Sequence, residues 1–121
     1  MSELSGTIDK YLQAWNETDA VSRRKQLDEI WAEGAGYVDP LVQVTGRDGL
    51  DQVIAGAQGQ FGGLQFERGT TYEEHHNVVR FTWHLVTAPG ADPVAIGFDV
   101  VVLDDSGRIA AVYGFIDKMP G

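Results

Sequence analysis

Residues 96–103 read Ile96-Gly97-Phe98-Asp99-Val100-Val101-Val102-Leu103, eight positions of strand-forming character with one acid in the middle. Side chains alternate along a strand, so Asp99 shares a face with Gly97, Val101 and Leu103, while Phe98, Val100 and Val102 occupy the other. Both faces are apolar and both need cover. A carboxylate on such a strand is costly unless it is hydrogen-bonded, paired or held neutral. This strand therefore belongs to a sheet whose one face packs on other elements of the chain, with an acid set into that buried side.

Working outward, Val78–Val86 is a second strong strand, with Val79, Phe81, Trp83 and Leu85 on one face. Asp104-Asp105-Ser106-Gly107 is a hairpin turn, and the strand from Arg108 to Ile116 follows it. Leu64–His75 is a more polar strand. Ahead of these lie three helical patterns. Leu4, Ile8, Tyr11, Leu12 and Trp15 form one stripe. After a break at Asn16–Asp19, with Asp19 as N-cap, Leu27, Ile30 and Trp31 form a second that stops near Gly34 and Gly36. Leu50, Val53, Ile54, Ala57 and Phe61 form a third, capped by Asp48 and ended by Gly62-Gly63. Gly56 and Gly59 inside it permit close packing. Two short strands, Gly36–Asp39 and Leu41–Val44, flank Pro40. Three helices followed by an antiparallel sheet is an α+β layout, and 121 residues fit one domain spanning 1–121.

Net charge is −9, which repels polyanions, and no basic stripe is present, so nucleic acid is not an expected partner. Arg23-Arg24-Lys25 reads as a solvated helix face. No apolar run spans a bilayer, so no membrane association is expected. Cysteine is absent, and the polar start Met1-Ser2-Glu3-Leu4-Ser5 lacks the pattern of a secretory signal, so a cytoplasmic location is expected. Glu73-Glu74-His75-His76 alternates across a strand and does not converge, so no metal is expected. No phosphate loop or nucleophile elbow occurs, and no cofactor is expected.

Asp39, in Tyr37-Val38-Asp39-Pro40, reads either as a general base facing a pocket or as a turn residue ahead of proline. Asp99 reads either as a proton donor to a developing oxyanion or as a paired structural carboxylate. Tyr11, Trp15, Trp31 and Trp83 are core or pocket wall. On the last strand Tyr113 shares a face with Ile109, Ala111 and Phe115, and is expected near Asp99. His84, opposite in parity to Trp83, faces either the cavity or the outside. The second apolar sheet face is expected to be covered by another copy of the chain in a homodimer.

The helix–break–helix start, Tyr37-Val38-Asp39-Pro40, Gly46-Arg47 and the long strand ending Leu103-Asp104-Asp105-Ser106-Gly107-Arg108-Ile109 resemble the nuclear transport factor 2-like superfamily, and within it the SnoaL-like and ketosteroid-isomerase-like branches. The resemblance implies a cystatin-like cone, a strongly curved sheet wrapped over three N-terminal helices around a deep apolar pocket. It implies roles for Asp39 as base and for Asp99 with Tyr11 as the oxyanion site. Trp15, Trp83, His84, Val101, Tyr113 and Phe115 are then the expected substrate contacts, for a small apolar carbonyl molecule undergoing proton transfer of isomerase or cyclase type. Two alternatives stand beside this: a non-catalytic ligand-binding or dimerisation module, and an epoxide hydrolase of the limonene type. The latter has an Arg where Gly97 stands here, and would draw on Asp117.

Overall fold

The structure, a computed structural model, describes residues 3–119. Met1 and Ser2 of the polar start lie outside the described residues. Helix α1 (Glu3–Asn16) buries Ile8, Tyr11, Leu12 and Trp15, the stripe its spacing predicts. Its last residue is tied to the sheet. The Asn16 amide donates to the Phe66 carbonyl at 2.8 Å, and its oxygen accepts the Phe66 N–H at 2.7 Å. Asp19 caps α2 (Ala20–Ile30), accepting the Ser22 N–H at 2.9 Å.

Helix α2 ends at Ile30, four residues before Gly34, and Trp31 opens strand β1 (Trp31–Val38). Neither Gly34 nor Gly36 takes a left-handed backbone. Trp31 pairs instead with Ile109 across the sheet, and its carbonyl accepts the Arg47 guanidinium at 2.9 Å. These contacts outweigh the weak helical preference of the Glu33-Gly34-Ala35-Gly36 segment. Strand β2 (Gln43–Thr45) is shorter than expected and leaves Leu41 exposed. Helix α3 (Gly46–Gln60) has Thr45 at its N-cap without a side-chain cap bond. Asp48 sits in its first turn and pairs with Arg24 rather than capping. Phe61 is the C-cap. Nothing packs within 4 Å of a Cβ built at Gly56 or Gly59, so close packing does not require them.

Strands β3 (Gln65–His75), β4 (Val78–Val86), β5 (Ala95–Leu103) and β6 (Ile109–Lys118) complete one six-stranded sheet of order β2-β1-β6-β5-β4-β3. Neighbours are antiparallel except β1 and β6, which run parallel. Register shifts interrupt β3 between Arg68 and Tyr72 and the β5–β6 pair at both ends. Such irregularities bend and twist strands, here toward the helices. The concave face carries Phe81, Val101 and Val112 against Ile8, Leu27 and Ile54 of the helices. Burial along β5 alternates as its sequence predicts.

Arg23 corrects the expected solvated face. It is only 5% exposed. Its guanidinium meets Asp51 at 2.6 Å, the Glu17 carbonyl at 3.0 Å and the Gln58 amide oxygen at 3.1 Å. A buried cation is tolerable when charge and hydrogen bonds are both satisfied. The cluster clamps the α1–α2 turn onto α3. No helix among the described residues is long and apolar enough to cross a membrane.

Candidate functional site

Between α1, α3 and the concave sheet lies a cavity of about 480 Å³. Its walls are apolar, with Val42, Val53, Phe66 and Leu85 among them. Tyr11, Tyr37, Asp39, Trp83 and Asp99 bring polar atoms to it, as do Gln52 and Gln60 of α3. Among its described lining residues none is Lys, Arg or His.

Asp99 is 4% exposed. Its Oδ1 accepts the Trp83 indole N–H at 3.3 Å. Burial pushes its carboxyl up from 3.8 to about 7; the Trp83 hydrogen bond and the nearby Tyr11 hydroxyl, which forms no bond in this geometry, oppose the rise, and the charge of Asp39 adds to it. An acid poised there is part protonated at neutral pH.

Asp39 sits where β1 gives way to the Pro40 turn, and it holds both of the positions its sequence allowed. Its Oδ1 accepts the backbone N–H groups of Leu41 and Val42 at 2.8 and 3.0 Å, which is the turn. Its Oδ2 accepts the Tyr37 hydroxyl at 2.6 Å, and the side chain lines the cavity. Tyr37 is two residues earlier on the same side of the strand. Burial, with the Tyr11 and Asp99 charges nearby, pushes the Tyr37 hydroxyl well above its ordinary value, so it remains a donor.

Gly114 of β6 separates the two acids. A Cβ there would lie 2.9 Å from Asp99 Oδ1 and 3.3 Å from the Asp39 Cβ. Tyr11 brings the third group, stacked on Trp31 at 6.3 Å between ring centroids. Its hydroxyl and the Trp15 indole N–H are buried without a hydrogen-bond partner. Burial and the Asp99 charge push the Tyr11 hydroxyl well above its ordinary value. Unpaired buried donors are costly in a native fold, and a ligand acceptor relieves that cost.

Residues 8–112 match the SnoaL-like domain family. The chain belongs to the SnoaL-like family. A SnoaL-like protein of Agrobacterium tumefaciens, provisionally named an isomerase, is 42% identical, with a TM-score of 0.88 over 97% of this chain and 99% of that one. A protein of Jannaschia, provisionally named a SnoaL-like polyketide cyclase, shares 16% identity and a TM-score of 0.77 over 95% and 85%. A de novo designed protein with a curved β-sheet matches at 12% identity and a TM-score of 0.72 over 97% and 88%. The last two show the fold alone. No curated protein matches the chain in sequence.

The SnoaL-like cone thus gathers Tyr11, Trp15, Asp39, Trp83 and Asp99 at one cavity. Three expected contacts lie elsewhere. Val101 shares the Asp99 face but is packed in the core and does not line the cavity. His84 lies on the outer face beside Gly69 and Thr82, away from the acids. Tyr113 also faces outward and is 48% exposed. The irregularity that pairs Leu103 with Ile109 but Val102 with Ala111 adds one residue to β6 and reverses its parity. Val112, Gly114 and Ile116 therefore turn inward. Phe115 borders the cavity, yet its ring stacks on Phe98 of the outer face, 4.8 Å between centroids.

The positions that the limonene-type alternative draws on do not meet at this cavity. A Cβ at Gly97 would run into the Trp83 indole and the Phe115 carbonyl, so no Arg fits there. Asp117 is exposed and lines no part of the cavity. Tyr37 and Gly114 belong to the site although sequence reading assigned them nothing. The period of two around Asp39 was the available signal for Tyr37; Gly114 was hidden by the β6 irregularity.

Proposed function

We propose that this SnoaL-like protein binds a small, neutral, apolar carbonyl compound and moves a proton on it, in an isomerase- or cyclase-type reaction. The observation that carries this reading is Asp99, buried in an apolar cavity with its carboxyl raised to about 7, beside the unpartnered Tyr11 hydroxyl. Both are donors at neutral pH for an oxygen that gains charge as the adjacent carbon loses its proton. Asp39, fixed by Tyr37 and two backbone amides, keeps a lone pair of Oδ2 for that proton. In isomerisation Asp39 returns the proton to another carbon of the enolate, which restores the carbonyl; in cyclisation the enolate carbon first attacks a second carbonyl of the substrate, and Asp39 returns the proton to the alkoxide that forms there. The provisional isomerase name of the 42%-identical Agrobacterium relative fits this chemistry.

Two acids and no Lys, Arg or His among the described lining residues select against anions. At 4 Å, like charges repel by about 4 kcal/mol at an effective dielectric of 20. A cyclic ketone carrying a methyl ester is expected to bind at least about tenfold more tightly than its free acid at pH 8, a conservative use of that energy. Isothermal titration of such pairs checks it. Equal affinity would remove the neutral-ligand reading, and an ester that binds without exchanging its α-protons would leave a binding module.

We also propose that the outer sheet face pairs with a second copy. Tyr113 and Phe115 are 48% and 49% exposed there, next to half-buried Phe98, Val100 and Val102. Sedimentation velocity at ten micromolar is expected to give a dimer. A monomer at that concentration would contradict it.

A further inference from the structure

Gly97 and Trp83 face each other across β4 and β5, and their pairing is tighter than strand packing alone requires. The two residues are in register. The Trp83 indole occupies the space a Cβ at Gly97 would take. Only with glycine there does the ring lie flat on the neighbouring strand, and only then does its N–H reach along the strand to Asp99 Oδ1, 3.3 Å away. The same oxygen is backed by the Gly114 Cα, where a Cβ would come within 2.9 Å of it. Oδ1 is thus enclosed by an indole and a glycine. The hydrogen bond formed to this carboxyl is the Trp83 one, on Oδ1; the Tyr11 hydroxyl lies close enough to favour the ionised form but makes no bond in this geometry.

We propose that Trp83, seated on Gly97, is a positioning residue for Asp99: its indole N–H pins Oδ1 against the sheet and leaves Oδ2 as the one oxygen presented to the ligand. This rests on Asp99 being the group that meets the carbonyl oxygen. A carboxylic acid serves as a donor only if the proton sits on the oxygen that faces the ligand. An N–H on Oδ1 favours that, because the carbonyl oxygen of a carboxylic acid is a better acceptor than its hydroxyl oxygen. The enclosed oxygen is therefore the preferred acceptor, and the proton is directed to Oδ2. The remaining titratable groups around Asp99 are Tyr11 from α1, Tyr37 from β1 and Asp39 from the turn that follows it. Strands β4 and β6 bring none to this face among the described residues, since His84, Arg80 and Tyr113 lie outside. Trp83 is thus the one neutral donor on the sheet side of this carboxyl.

The chain has three tryptophans, so its indole N–H resonances in an NMR spectrum are three. One, absent from Trp83→Phe, is expected to move with pH and to share the inflection of the Asp99 carboxyl; in Asp99→Asn it is expected to stay still. In Trp83→Phe the Asp99 inflection is expected to rise by about half a pH unit or more, because a donor that favours the ionised form is gone. Gly97→Ala keeps the indole in the chain but sets a Cβ against it and against the Phe115 carbonyl, and is expected to raise the inflection in the same way while loosening the β5–β6 pairing. A merely structural role for Trp83 would lower stability in both variants and leave the inflection where it was, which overturns the proposal. An Asp99 inflection with a Trp83 resonance that ignores it also overturns this proposal alone. No inflection at Asp99 near neutral pH overturns the reading of the site, and this inference with it.

Discussion

Asp99→Asn is expected to melt higher than the parent protein at pH 7.5, by on the order of 10 °C, and to lose that advantage near pH 4. The carboxyl rises from 3.8 to about 7 on folding. Its group is 4% exposed, so solvent does little to screen the effect. Below pH 4 both the folded and unfolded chains hold the proton, and Asp99 costs nothing electrostatically. As pH rises from 4 to 7 the unfolded chain releases the proton while the folded chain keeps it, so stability falls with pH. Above 7 the full cost is present, at most about 4 kcal/mol. Asn has the same shape and still offers Trp83 an acceptor, but it carries no charge. In a domain of this size each kcal/mol moves the midpoint by about 3–5 °C. Thermal melts at half-unit pH steps check this. A variant that is less stable at pH 7.5, or equally altered at every pH, would contradict it. A gain in stability on removing an acid is what a site maintained for function predicts.

Asp39→Asn is expected to slow the reaction by about 100- to 10,000-fold, the range for a positioned general base. Binding should change little, because the amide oxygen of Asn can keep the Leu41 and Val42 N–H groups while its NH2 faces the Tyr37 hydroxyl, which turns to accept. The measurement is exchange of the α-protons of a bound ketone into D₂O, followed by NMR. Loss of exchange at unchanged affinity is the expected result. Undiminished exchange would take Asp39 out of the reaction and leave it as the turn residue its position also makes it.

The fold was legible because its signals are periodic. The stripe of α1 and the alternation of β5 each bury the faces their spacing predicts. Asp99 stood out for the same reason, as one charge in an apolar run. Other features depend on contacts distant in sequence. Helix α2 stops early because Arg47 takes the Trp31 carbonyl and Trp31 pairs with Ile109. Arg23 is buried because Asp51 and Gln58 reach it from α3. Tyr113 was misplaced because one extra residue in β6 reverses every side chain beyond it. Gly97 and Gly114 carry no side chain to read; their meaning is the space they leave for Trp83 and for the two acids.

In the proposed reaction the part of the cone is to keep one acid dry. Phe81, Val101 and Val112 lie around Asp99 on the concave face, and the helices close over them. That environment raises the carboxyl and leaves a donor at neutral pH where an ordinary aspartate would have none. A designed protein with a curved sheet shares the fold at 12% identity, so the architecture alone does not specify the reaction. The proposed reaction rests instead on the placement of Asp99, Tyr11 and Asp39.

The carboxyl carbon of Asp99, followed by ¹³C NMR from pH 4 to 9 in the unliganded protein, is the most direct test. An inflection near 7, with the protonated form dominant at pH 5, is predicted. An inflection near 4, with the carboxylate already formed at pH 5, would contradict a protonated donor in this cavity.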